Sequence, residues 1–471
     1  MIKKIFFIVC IIILLFSFLS QQNNFDSRIY KNLGGDASRA SNGNLSFSLP
    51  SPNLFGDEIK TFMFGKRIFD ATWLPRIQQS QINILEPNQQ VTSSVFLGLG
   101  PSFNRASCSH CHVRDGRGKP TDLTDNLSSM IFKLGIINPN IPTNSIPHPI
   151  YGDQFHDQSI STIISEKIKV YYNEITEFYP DGISYHLRKP YYILPASIPE
   201  ELKSKTLISA RIPPALIGLG LLENIPVQSI MELADPYDKN NDGISGKINL
   251  VANNLSQEKK SLGRFGWKAS TSNLYQQNAT AAFNDMGLTN ILFPGQNCKI
   301  VTCKDEPISL ELNNEFLDKL TFYTKTLSVP MRRNLDNISA QKGEQIFFKA
   351  ECHTCHKPSW IINHYPSARD VITPQTIFPF TDLLLHDMGH ELSDNLPDAE
   401  ATGSEWRTPP LWGIGLNKEV SGYEFYLHDG RARNLEEAIL WHNGEGKKSS
   451  DIFKNLSRYD REALISFLKS L

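Results

Sequence analysis

Two short motifs carry the chemistry of this chain. Cys108-Ser-His-Cys111-His112 and Cys352-His-Thr-Cys355-His356 share the pattern CxxCH. Two thiols spaced on one helical turn can add across the two vinyl groups of one porphyrin, and the histidine that follows is placed beneath the iron. Each motif therefore predicts one covalently bound haem c. Cys108 and Cys111 would hold the first, with His112 on its iron; Cys352 and Cys355 would hold the second, with His356 on its iron. A zinc site would draw four ligands from paired knuckles. Here each motif instead brings its own histidine at the haem position, which a thioredoxin-like dithiol does not need.

Two other groups could do chemistry. Cys298 and Cys303 share one loop and are candidates for a small disulfide in an oxidising compartment. The rival is a redox-active dithiol, against which stands a spacing that is not CxxC. Asp238, Asn240 and Asp242 alternate along the segment and lead into Gly243, as at the start of an EF-hand loop. The twelfth position is Asn249 rather than a bidentate glutamate, so the alternatives are one structural Ca2+ or a polar Asx-rich turn.

The elements that must position the two motifs repeat. Gly343-Glu-Gln-Ile-Phe347 precedes the second motif, and Gly65-Lys-Arg-Ile-Phe69 precedes the first across an insertion. After each motif comes an Arg-x-Pro-Pro segment, Arg211 to Pro214 and Arg407 to Pro410, leading to Gly-x-Gly-Leu at Gly218 to Leu221 and Gly413 to Leu416. Consecutive prolines stop a helix and set an extended turn. Each half closes on an amphipathic helix, with Leu320, Tyr323 and Leu327 or Leu464, Phe467 and Leu471 as its apolar stripe. The spacing predicts two cytochrome c-like domains, 25–330 with insertions and 331–471 compact. Neither half shows sustained strand alternation, so the expected fold is mainly α with long loops, among them Ile136 to Pro149.

Composition sets the compartment and class. The 471 residues carry a net charge of -2, with 40% hydrophobic and 20% charged residues. That is an ordinary globular balance, with neither the basic surface of a nucleic-acid binder nor a polybasic membrane anchor. Lys3 and Lys4 precede an apolar run from Ile5 to Phe16, and small polar residues follow. Residues 1–20 read as a signal peptide for export to the periplasm, with an uncleaved anchor as the rival. No later stretch approaches ~18 consecutive apolar residues, so no span is expected in the mature chain.

Gly98 to Asn104, Cys108 to Gly118, Ala210 to Pro226, Gly263 to Gly287, Thr381 to Gly389 and Trp406 to Glu445 together resemble the dihaem oxidoreductases related to bacterial dihaem cytochrome c peroxidases. That superfamily also holds the enzyme that matures methylamine dehydrogenase. The label "thiol oxidoreductase" used for some members finds no spare CxxC here.

The resemblance assigns further residues. His442 takes the place of the axial methionine or tyrosine of the relatives, which implies bis-histidine ligation of the second iron by His356 and His442. Met388 and His428 are the rivals. Trp267 falls at the inter-haem tryptophan, and Gln277, Asp285 and Met286 fall at the distal pocket of the first haem, with aspartate replacing glutamate. Met286 is also an alternative ligand that would close that site, and Trp267 is alternatively plain core. Related enzymes bind calcium between their haems, which agrees with the Asp238 segment.

The implied function is a periplasmic, peroxidase-like dihaem oxidoreductase. A small redox protein, a cytochrome c or a cupredoxin, would reduce the C-terminal haem, and electrons would pass through Trp267 to an N-terminal haem that reduces peroxide. The alternatives are an electron carrier with both irons six-coordinate, or a maturation-type enzyme that oxidises a protein partner.

Overall fold

The computed structural model describes residues 27–75, 96–121, 129–160, 166–253, 255, 260–297, 310–364 and 372–471. The N-terminal segment 1–20 and the pair Cys298 and Cys303 lie outside them. Among the described residues, no helix is long and apolar enough to cross a membrane.

Helices form where the sequence supplies a cap and one apolar stripe. Helix α1 (Asp57–Asp70) opens with Asp57 and Glu58 in its first turn and buries Phe62, Gly65 and Phe69 along one face. Helix α2 (Leu274–Met286) is capped by Asn273, whose side chain accepts from the Gln276 N–H, and it ends at Gly287 in the left-handed region. Helix α3 (Asn314–Lys325) is capped by Asn313, α4 (Ile338–Lys349) by Asn337 and α5 (Leu435–Leu440) by Asn434. Helix α6 (Arg458–Ser470) is capped by Ser457.

Two helix pairs frame the two motifs. α1 packs on α3, and α4 packs on α6. The glycine of each Gly-x-x-Ile-Phe repeat sits at its crossing. A Cβ on Gly65 would collide with the Lys319 carbonyl, and one on Gly343 with the Ala463 carbonyl. The bare backbone lets each pair approach closely, and Tyr323 and Phe467 fill the same relative position beside the crossing. The second glycine of each Gly-x-Gly-Leu segment repeats the pattern, Gly220 against the Lys325 carbonyl and Gly415 against that of Lys469.

The expectation of a mainly α fold is wrong: 32% of the described residues are helical and 22% lie in strands, a mixed α/β chain. The segment read as a loop from Ile136 is instead the end of β1 (Ile131–Asn138) and β2 (Ile141–Ile146). β1 is also flanked by β3 (Gln154–Phe155) and by β6 (Thr206–Arg211), all antiparallel. Between them, β4 (Lys169–Phe178) and β5 (Ser184–Ile193) make a hairpin with ten paired residues on each strand.

The hairpin hides from pattern reading because its buried face switches. Near its base Val170 and Pro190 point inward; nearer the tip Tyr185 and Leu187 do so, in the opposite parity. A twisted ribbon that packs first on one cluster and then on another cannot keep a single alternation. Val170 belongs to a core with Phe132, Trp267 and Trp406, and Tyr185 and Leu187 to a larger core that both halves share. Tyr179 Oη donates to Glu436, Arg461 pairs with Asp181, and Arg433 pairs with Glu174. An insertion in the first half thus straps the second.

Candidate haem and redox site

Each motif is built to present an imidazole. Cys108–Cys111 forms one helical turn, with Ser107 Oγ accepting from the Ser109 N–H. His112 Nδ1 donates to the Pro214 carbonyl at 3.0 Å, and His356 Nδ1 donates to the Phe380 carbonyl at 3.0 Å. With Nδ1 engaged, Nε2 keeps its lone pair for a metal. Burial pushes both imidazoles down to about 4, so they stay neutral near pH 7, the form a metal requires.

One continuous cavity runs past both motifs. Phe69, His112 and Gln277 line one end, and Cys352, Cys355, His356 and His442 line the other. Trp267, Arg117, Trp406 and Pro409 are also in its wall. Cys352 and Cys355 open on this apolar cavity beside a neutral, oriented imidazole, which fits a haem there; at the other end the cavity wall holds His112 but not Cys108 or Cys111.

The Arg-x-Pro-Pro repeats build the middle of this cavity. β6 delivers Arg211 to Pro214. β7 (Leu385–Asp387) pairs with β8 (Glu405–Arg407), which delivers Arg407 to Pro410. Trp267 is clamped between the two repeats: its indole N–H donates to Ile212 O, and its carbonyl accepts from the Arg407 N–H. The Arg117 guanidinium lies 5.3 Å from its ring centroid. The Gly-x-Gly-Leu segments meet across the middle, with Gly218 (φ +67) under Trp412 and Gly413 (φ +71) under Ile217. At both positions the left-handed backbone and the close side chain call for glycine.

At the C-terminal end, His442 Nδ1 donates to Ala438 O at 2.7 Å, one turn back along the end of α5. Its Nε2 takes no hydrogen bond among the described residues, and its ring is close enough to His356 to depress that pKa after burial has done so. Met388 lines the same end, and its methyl and the His442 ring both flank Gly446. His428 instead stacks flat on Trp406, with centroids 3.7 Å apart and an 11° angle between planes.

At the N-terminal end, α2 presents Gln277, Asn278 and Ala281 to the cavity. Asp285, two turns further along, does not line it. It sits beside the thiols, where burial first and Asp285 second push Cys108 up to about 12. Gln154 Nε2 donates to Asp285 Oδ1 at 2.8 Å, and burial raises the carboxyl to about 6 despite that bond. Met286 is buried against Cys108, sulfur to sulfur 3.8 Å, rather than in the cavity wall.

Asp238, Asn240 and Asp242 close a turn on themselves. Asp238 accepts from the Asp242 and Gly243 N–H groups, Asn240 accepts from the Asp242 N–H, and Asp242 accepts from the Ile244 N–H. These are Asx-type turn bonds.

Sequence reasoning missed a buried triad beside the second motif. His386 bonds Asp382 at 2.8 Å and Glu445 at 2.6 Å. Burial alone would lower this imidazole, but Asp382 and its other neighbours raise it well above its usual range. Cys355, Asp382 and His386 lie within 4.8 Å of one another, yet both ring nitrogens are spent on carboxylates, so the cluster reads as an ion-paired clamp on the attachment site. The His386-Asp387-Met388 run was visible in the sequence; the approach of Glu445, 59 residues away, was not.

No curated protein and no solved structure matches this chain. Residues 138–471 match the family model described as "Di-haem oxidoreductase, putative peroxidase", a span that includes the second CxxCH and begins after the first. With a match over most of its length, and a cavity that joins two haem-type motifs, the chain belongs to the di-haem oxidoreductase family.

Proposed function

We propose that the protein is an exported, peroxidase-like oxidoreductase carrying two covalently attached haems c, through Cys108 and Cys111 and through Cys352 and Cys355. The observation that carries this reading is the asymmetry of the shared cavity. Beyond the motif histidine, the C-terminal end offers His442 and Met388 as imidazole or sulfur ligands, whereas the lining that α2 supplies at the N-terminal end is Leu274, Gln277, Asn278 and Ala281. A filled axial position suits electron transfer and an open one suits binding of peroxide.

The haems supply the redox chemistry, and the chain's residues divide the rest. His356 and His442 hold the electron-entry end. Trp267, wedged between the two Arg-x-Pro-Pro segments, lies between the ends, and a small redox protein is the external donor. Gln277 faces the open end with a carboxamide able to hydrogen-bond peroxide. Asp285, raised to about 6, can move a proton near neutral pH, relayed by a water because it stands back from the cavity.

Low-temperature EPR of the diferric holoprotein, repeated after one-electron reduction, tests this. A high-spin ferric signal from one haem in either state is expected. Low-spin signals alone in both states would make the protein an electron carrier.

A further inference from the structure

Tyr192 stands at the end of a line of contacts that starts in the cavity wall. Trp406 lines the cavity, and His428 stacks on it at 3.7 Å. His428 Nε2 lies 3.7 Å from Asp429 Oδ2, and the Tyr192 hydroxyl donates to that same oxygen at 3.4 Å. Each step is under 4 Å, and Trp406, His428 and Asp429 are all buried. Tyr192 comes from the inserted hairpin, which no pattern in the sequence tied to the cavity.

We propose that Tyr192 is a redox-active tyrosine that draws oxidising equivalents out of the cavity through Trp406 and His428. The proposal rests on the peroxidase reading, with peroxide as the oxidant. Oxidation of a phenol near neutral pH requires that its proton leave with the electron, and a fixed carboxylate on the hydroxyl provides for this. Asp429 is held for that task by Arg431, at 2.8 Å. In the step, Tyr192 gives one electron to the oxidised cavity centre and its O–H bond breaks. The proton passes to Asp429 Oδ2, leaving a neutral phenoxyl radical and a carboxylic acid. An external one-electron donor returns the electron, and Asp429 returns the proton.

The surroundings of Trp406 favour passage over storage. The Lys268 ammonium lies 4.4 Å from the ring centroid and the Arg211 guanidinium 5.9 Å. A cation over the ring stabilises the neutral indole and opposes positive charge on it. Tyr192 instead has a proton acceptor on its hydroxyl, the Asp429 oxygen that Arg431 also holds. Tyr171 and Tyr191 pair on the opposite, exposed face of the same hairpin, so Tyr171 serves as the control tyrosine.

The test is freeze-quench EPR of the diferric, haem-loaded protein mixed with hydrogen peroxide without donor, with the Soret band followed in parallel. We expect an organic radical whose hyperfine structure narrows when the protein is made with ring-deuterated tyrosine. It is lost in Tyr192→Phe, while the Soret response persists, and it is kept in Tyr171→Phe. A Soret response with no radical, with a radical untouched by tyrosine deuteration, or with one unchanged in Tyr192→Phe overturns the proposal and leaves the peroxidase reading standing. A Soret band that ignores peroxide overturns both.

Discussion

At the scale of single residues, the site rests on what each side chain's second atom does. His442 can serve an iron because its Nδ1 is committed to Ala438 O. His442→Ala is expected to turn the C-terminal haem from low-spin to high-spin in the absorption spectrum; an unchanged spectrum would remove His442 as its ligand. Asp285 is poised by burial, and Asp285→Asn should slow peroxide turnover by ~100-fold with binding of donor unchanged, if the carboxyl moves the proton. An unaltered rate would leave it a structural partner of Gln154.

Asp115 illustrates a residue-scale effect on stability. Burial raises it from the ordinary 3.8 to about 6, although Ser48 and Tyr323 both donate to it. The folded state therefore holds this proton more tightly than the unfolded chain. The stabilisation is complete below about pH 4 and is lost as pH rises through about 6, to a total of roughly 3 kcal/mol. Denaturant melts of Asp115→Asn at pH 4.5 and 7, compared with the parent, should show the variant gaining relative stability at the higher pH. Equal differences at both values would mean that the carboxyl titrates normally.

At the scale of elements, the two helix crossings are interchangeable in design. Gly65 and Gly343 each admit a carbonyl where any Cβ would collide. Gly65→Ala and Gly343→Ala should each cost about 1–3 kcal/mol, as overpacked cores do, read as a lowered denaturant midpoint. Gly43→Ala, with open space around it, is the control and should change little. If Gly343→Ala matched Gly43→Ala, the close crossing of α4 and α6 would be disproved.

At the scale of the molecule, the halves are joined by buried polar anchors as well as by apolar packing. Lys268 is fully buried beside Trp267, and its ammonium donates to Asp394 and to the carbonyls of Leu396, Thr402 and Gly403 from the C-terminal half. Removing one partner of such a pair strands the other charge. Lys268→Met should therefore cost about 3–5 kcal/mol, measured by denaturation of the haem-loaded protein. A near-neutral effect would show that the 394–403 loop docks without it.

The sequence by itself pointed to haem as the cofactor and made the internal repeat legible. CxxCH, Gly-x-x-Ile-Phe and Arg-x-Pro-Pro are local patterns, and each has a local physical reason: thiol spacing, a bare backbone at a crossing, a proline-set turn. The opening and closing helices were legible for the same reason, since one apolar stripe at helical spacing is a short-range signal. Tertiary structure alone decided the rest. The β4–β5 hairpin changes its buried face midway, so no single alternation marks it. His386 with Glu445, His428 on Trp406, and Tyr192 on Asp429 join residues that are distant in sequence or whose orientation no spacing specifies. Asp285 was placed by analogy on the cavity, but whether a carboxylate faces a cavity or stands behind it depends on how far α2 runs past the site, which only packing settles.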